Sequence, residues 1–170
     1  MSGPTRTVVG IDPGTHLGWT ALEFHYPHPK MNMPKITGHG KYWLKAGRYE
    51  GQGMVMLRFK EFLRELFELT KPDAVFQEEV HRHTATDAAH KYGAITHAVM
   101  EVCEDMDIAY GGVPVSTWKK YMTGKGNASK DAVLETFREV VKPADPPQWS
   151  QDEIDSYGVA LAGGAALWVR

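Results

Sequence analysis

Apolar and polar positions alternate between two periods along this chain, and the changes of period mark the elements. Thr7-Val8-Val9-Gly10-Ile11 is a short β-branched run and reads as a buried strand. It stops at Asp12-Pro13-Gly14, a turn signal. Leu17 to Leu22 resumes in extended style, which predicts a hairpin with the first strand. Residues 25–35 hold three prolines and read as a loop, and a third strand follows over Ile36 to Leu44. Then Val55, Phe59, Phe62, Leu63, Leu66 and Phe67 recur at three- and four-residue steps, an amphipathic helix from Gly53 to Leu69. Ala74-Val75-Phe76 is a buried strand running into Gln77-Glu78-Glu79. A long helix over 85–106 carries a seam of Ala88, Tyr92, Ile95, Val99, Val102 and Met106. Ile108 to Val113 is a short strand, and Val115 to Met122 a short helix.

Cap chemistry places the last two helices. Asn127-Ala128-Ser129 offers N-cap residues to a helix over 130–141. Residues 142–147 are a proline-rich loop. Ser150 and Glu153 have capping-box spacing and open a final helix through Leu167. Three meander strands followed by crossover helices predict an α/β fold, a mixed sheet covered by helices. The 170 residues fit a single domain over 1–170, long enough to bury a core without staples.

Composition narrows the class. One cysteine, Cys103, excludes a disulfide scaffold and favours a reducing, cytoplasmic setting. No apolar run reaches the roughly 18–20 residues of a membrane span, and the first six residues have no signal-peptide core. The net charge of −2 argues against a uniformly basic coat but leaves room for a local patch. Such a patch exists: Tyr110 to Lys130 has no acidic residue and carries Lys119, Lys120, Lys125 and Lys130. With Ser129 at a helix N-terminus, that segment suits phosphate contacts; a solvated loop is the plainer reading. Trp118, beside two lysines, is a core residue or a platform for a base.

Four acids stand out. Asp12 ends the first strand, Glu78 ends the fourth, and Asp152 and Asp155 share one face of the last helix. If strands one and four are parallel neighbours, Asp12 and Glu78 lie about 4.8 Å apart strand to strand. The last helix then needs only to dock its N-terminus there. Crowded carboxylates call for protons or cations, and hard divalent ions take oxygen ligands. Each acid alone also has a plain structural role, as turn residue, strand-end charge or helix N-terminal charge. His81 with His83, and His90 with His97, lack the further ligands of a familiar zinc pattern.

Val9-Gly10-Ile11-Asp12-Pro13-Gly14-Thr15, Pro72 to Glu78, Asp152 to Ala160, and Thr123 to Lys130 together resemble the RuvC family of Holliday-junction resolvases, with the small phage-type branch most similar. The motifs run in family order over nearly the whole chain. The resemblance implies an RNase H-like mixed five-stranded sheet of order 3-2-1-4-5. It implies a homodimer, encoded by a phage and acting in a bacterial host, that cleaves branched DNA with Mg²⁺ or Mn²⁺, two ions per active site. It places catalytic and metal-ligating roles on Asp12, Glu78, Asp152 and Asp155, with Glu79 as the rival to Glu78. His81 and Arg82 follow the second acid and join the DNA-contacting set. The family's best-studied branch has a wedging Phe where this chain has His81. The helix over 85–106 is the expected pairing seam, through Tyr92, Ile95, Val99 and Val102, although the same seam suits core packing. Two other classes compete: a junction-binding protein with little or no cleavage, and an actin-like ATPase suggested by Asp12-Pro13-Gly14-Thr15. All four acids argue against the first, and 170 residues are too few for the two domains of the second.

Overall fold

The computed structural model describes residues 4–25, 33–83, 85–142 and 149–167. Five strands form one sheet: β1 (Thr5–Asp12), β2 (His16–His25), β3 (Lys35–Trp43), β4 (Ala74–Glu79) and β5 (Ala109–Pro114). Their order is β3-β2-β1-β4-β5, as the resemblance implies. β1 and β2 form the expected antiparallel hairpin, and β1 and β4 the expected parallel pair, with Ile11 opposite Gln77. Asp12 and Glu78 are the next residues along these two strands, so both lie at the same end of the sheet.

Helices cover both faces. On one face lie α1 (Gln52–Thr70) and α2 (Thr86–Asp105), whose Phe59, Leu63, Val99 and Val102 pack with Val9, Ile11 and Val75. On the other lie α3 (Val115–Thr123), α4 (Lys130–Val141) and α5 (Gln151–Ala166), with Trp118, Phe137 and Tyr157 in the core. Observed boundaries match the sequence expectations to within a few residues. Among the described residues, three helices follow β5. Most of the expected loops over 25–35 and 142–147, and Trp168, fall outside the described residues.

The cap signals act as expected. Ser129 accepts the Ala132 N–H at the start of α4. Ser150 and Glu153 form a reciprocal capping box on α5. This box also anchors α5 to the sheet, because the Glu153 carboxylate meets His39 Nδ1 of β3 at 2.8 Å and His39 stacks on Trp149. Thr20 of β2 shares a hydrogen bond with Ser156 at 2.8 Å and donates to the Glu153 carbonyl. A buried polar network therefore fixes the axial position of the helix that carries Asp152 and Asp155.

Two glycines let α5 approach the sheet. A Cβ on Gly10 would collide with the Ser156 carbonyl and the Ala160 backbone nitrogen. A Cβ on Gly18 would collide with the Asp152 carbonyl. Both obstacles are main chain and cannot turn aside as a flexible side chain would.

The pairing seam expected on α2 is corrected by this packing. Ile95, Val99 and Val102 are buried in the protomer's own core against α1 and the sheet. Tyr92 is also committed internally, donating to the Glu78 carbonyl and accepting from the Val80 N–H. The apolar period of α2 reports burial on the sheet, and a charge at Val99 would disrupt the fold rather than an interface.

Candidate active site and nucleic-acid interface

Asp12, Glu78, Asp152 and Asp155 come from three elements and act on one another at the end of the sheet. Burial pushes the Asp12 carboxyl up to about 8, and the charges of Glu78, Asp155 and Asp152 push in the same direction. Burial also raises Glu78 and Asp155 above the usual carboxylate range. Lys130 acts in the opposite sense on Asp12 and Asp155, and Lys119 on Glu78 and Asp155. The arrangement is a partly desolvated negative focus facing two cations, which is the electrostatic profile of a reactive or ion-binding site. Among the described residues, no three His, Cys, Asp or Glu side chains are already closed into a metal cage. The donors are all carboxylate oxygens with no thiolate, a set that suits hard divalent cations.

Neutral donors hold two of the acids. Trp118 Nε1 donates to Glu78 Oε2 at 2.8 Å, and Gln151 Nε2 donates to Asp155 Oδ1 at 2.7 Å. Trp118 is only 1% exposed, so it cannot serve as a base-stacking platform. Its indole instead forms the floor beneath Glu78. Sequence pattern offered no signal for this role, because the partners are 40 residues apart. Trp118→Phe keeps most of the buried ring and removes the donor. We expect near-native folding and a Glu78 carboxyl that titrates higher than in the parent, because the indole hydrogen bond lowers it. Carboxyl titration followed by NMR checks this; an unchanged Glu78 would remove Trp118 from the site.

Glu79 lies apart from the cluster. It adjoins Gly112 of β5 and sits 3.8 Å from His81, and it does not figure among the charges acting on Asp12. Period-2 alternation along β4 explains the separation of the two neighbours.

The other expected contacts divide. Lys119 is half-buried, donates to the Ala128 carbonyl at 3.1 Å and lies near the Trp118 ring. Lys130 opens α4. Lys119 and the exposed Lys130 act on the acids, whereas Lys120 and Lys125, also exposed, do not figure among the charges acting on them. The Ser129 hydroxyl is engaged as the α4 cap. His81 and Arg82 are exposed just beyond β4. His83 packs on Tyr92, and His97 contacts the Gly93 carbonyl.

Comparison with known proteins agrees with this fold. No family model matches the chain. In sequence it is 26% identical over 163 residues to the crossover junction endodeoxyribonuclease RuvC of Synechococcus sp. strain CC9311, and 28% identical over 162 residues to that of strain WH7803. Each match covers 92% of this chain and 96% of the relative. In structure it is similar to Thermus thermophilus RuvC in complex with a Holliday junction substrate, with a TM-score of 0.81 at 22% identity over 96% of both chains. The yeast mitochondrial Holliday junction resolvase gives a TM-score of 0.65 at 14% identity, over 99% of this chain and 80% of that one. The chain thus has the RNase H-like fold of these resolvases and sequence similarity to RuvC along nearly its whole length. Among the described residues, no helix is long and apolar enough to cross a membrane.

Proposed function

We propose that this protein is a structure-selective endodeoxyribonuclease that resolves four-way DNA junctions by paired symmetric nicks during recombination or replication. The observation that carries the reading is the convergence of Asp12, Glu78, Asp152 and Asp155 from two parallel strands and a docked helix, with Lys119 and Lys130 facing them. The full-length similarity to RuvC endonucleases supplies the substrate class.

In this reading the four acids hold Mg²⁺ or Mn²⁺, two ions per site. Such a pair, when bound, activates water and stabilises the leaving 3′ oxygen in phosphodiester hydrolysis. The chain's own contribution is orientation and electrostatics. Trp118 and Gln151 restrain the Glu78 and Asp155 carboxylates. The Ser150–Glu153–His39 network keeps the α5 end against the sheet. Lys119 and Lys130 offset the negative field that would otherwise repel a phosphate. Lys120, Lys125 and Arg82 add phosphate contacts along the approach, and the Ser129 cap orients the first N–H groups of α4 toward it. His81 takes the position of the wedging Phe of the family's best-studied branch.

One acid cluster serves one phosphodiester at a time, and a four-way junction has approximate two-fold symmetry. Paired nicks therefore call for two subunits about a two-fold axis, joined through surfaces other than the buried α2 seam. A supercoiled plasmid that extrudes a cruciform tests this. We expect linear product in one binding event with Mg²⁺, and an intact control plasmid lacking the cruciform. Random nicking of both plasmids would overturn the reading.

A further inference from the structure

The lysine-rich side of the acid cluster has a counterpart on the β2–β3 side. At the β3 end, Trp43 pairs across the sheet with His16 at the start of β2, and their rings lie 5.2 Å apart. Leu44 N–H bonds to the Thr15 carbonyl at 2.8 Å, which ties the segment after β3 to the turn after Asp12. Asp12 is on β1 and Trp43 on β3, so about two strand spacings, roughly 10 Å, separate their strands.

The residues displayed there are aromatic and basic in alternation. Trp43 is 55% exposed and Tyr49 is 89% exposed. Lys45 Nζ lies 4.6 Å from the Trp43 ring centre, and the Arg48 guanidinium 5.4 Å from that of Tyr49. Lys41 is exposed on the same strand end. The loop is held in shape. The Glu50 carboxylate accepts from the Gly47 N–H at 2.7 Å and from Arg58 at 2.5 Å, and Arg58 also donates to the Lys45 carbonyl. Glu50, the one acid between Lys41 and Arg58, is thereby engaged and leaves the cations of the loop unopposed.

Large exposed rings with cations beside them are how proteins hold unpaired nucleotides: the ring stacks on a base while the cation meets its phosphate. Intact duplex offers no free base face. We propose that Trp43, Lys45, Arg48 and Tyr49 form a second DNA-contacting surface that holds unstacked nucleotides of a junction strand on the far side of the acid cluster from Lys119 and Lys130. This rests on the nuclease reading and deepens it. A strand gripped on both flanks is presented to the acids in a fixed register, and selection for branched over linear DNA then comes partly from the rings.

The test measures binding of a labelled four-way junction and of matched linear duplex, in the full chain carrying Asp12→Asn so that substrate stays uncut. Variants are the Trp43→Ala/Tyr49→Ala pair, the Trp43→Phe/Tyr49→Phe pair and the Lys45→Ala/Arg48→Ala pair. We expect the alanine pair to weaken junction binding at least tenfold, duplex binding less than threefold, and the phenylalanine pair to restore it. The Lys45/Arg48 pair should flatten the salt dependence by one to two units. Junction binding by the parent with an unaffected alanine pair would overturn this assignment alone. A parent that binds no junction would overturn the nuclease reading with it. Loss of subunit association in the alanine pair, at unchanged affinity per dimer, would make the patch a contact between copies and overturn its DNA role.

Discussion

Asp12→Asn is expected to abolish Mg²⁺-dependent cleavage while raising the stability of the metal-free protein. The loss follows from removing a carboxylate oxygen from the centre of the acid cluster. A drop of about a thousandfold or more corresponds to roughly 4 kcal/mol of transition-state stabilisation, within what a bound metal supplies. The gain follows from the same crowding. Burial and three neighbouring acids push Asp12 from 3.8 up to about 8, so the folded state holds a proton that the unfolded chain releases. The sign is fixed by linkage: stability present at low pH is lost as pH rises from about 4 towards 8. Asparagine carries no charge and removes this dependence. In EDTA, the variant should melt above the parent by roughly 2–8 °C at pH 8, from about 1–2 kcal/mol, with a smaller gap at pH 5. Added Mg²⁺ should stabilise the parent more than the variant. Thermal melts across pH, with and without metal, check both signs; a parent more stable than the variant in EDTA at pH 8 would contradict them.

Gly18→Ala should damage the site without touching an acid. Gly18 is the cross-strand partner of Asp12, and its missing side chain is the space into which the Asp152 main chain packs. A methyl group there meets a carbonyl that can move only if the first turn of α5 moves. Overpacking of this kind costs about 1–3 kcal/mol, and a displacement near 1 Å of a reacting group costs about a hundredfold in rate. We expect a melting temperature lowered by several degrees, cleavage reduced about a hundredfold, and junction binding retained. Gly93→Ala is the control. It lies within α2 with open space around it, and should be neutral or stabilising by up to about 1 kcal/mol. Equal rates for Gly18→Ala and the parent would show that the α5 end is not held as the packing implies.

The elements and the acid-bearing ends were readable because their signals are local. Strand runs, turn residues, and the Ser129 and Ser150–Glu153 caps each act within a few residues, and all sit where expected. The strand order came from the motif resemblance, since period alone does not order strands. The α2 seam misled because a helix buried on its own sheet and a helix paired with another copy share one apolar period. The dominance of α5 in the core was hidden for a related reason. It is buried on nearly all sides, so Gly158, Ala160 and Gly163 show no amphipathic contrast. The Trp118–Glu78 bond was invisible because its partners are 40 residues apart and meet only in the fold. The patch over 43–49 is contiguous in the chain, but only the structure shows that its rings are exposed rather than buried.

The measurement closest to the central claim is strand cleavage of an end-labelled immobile four-way junction beside a linear duplex of the same sequence. It uses the parent and Asp155→Asn, in Mg²⁺ and in EDTA. The account predicts opposed nicks in the junction by the parent in Mg²⁺ only, an intact duplex, and no product from Asp155→Asn despite retained binding. Cleavage persisting in EDTA, an equally cut duplex, or an active Asp155→Asn protein would contradict it.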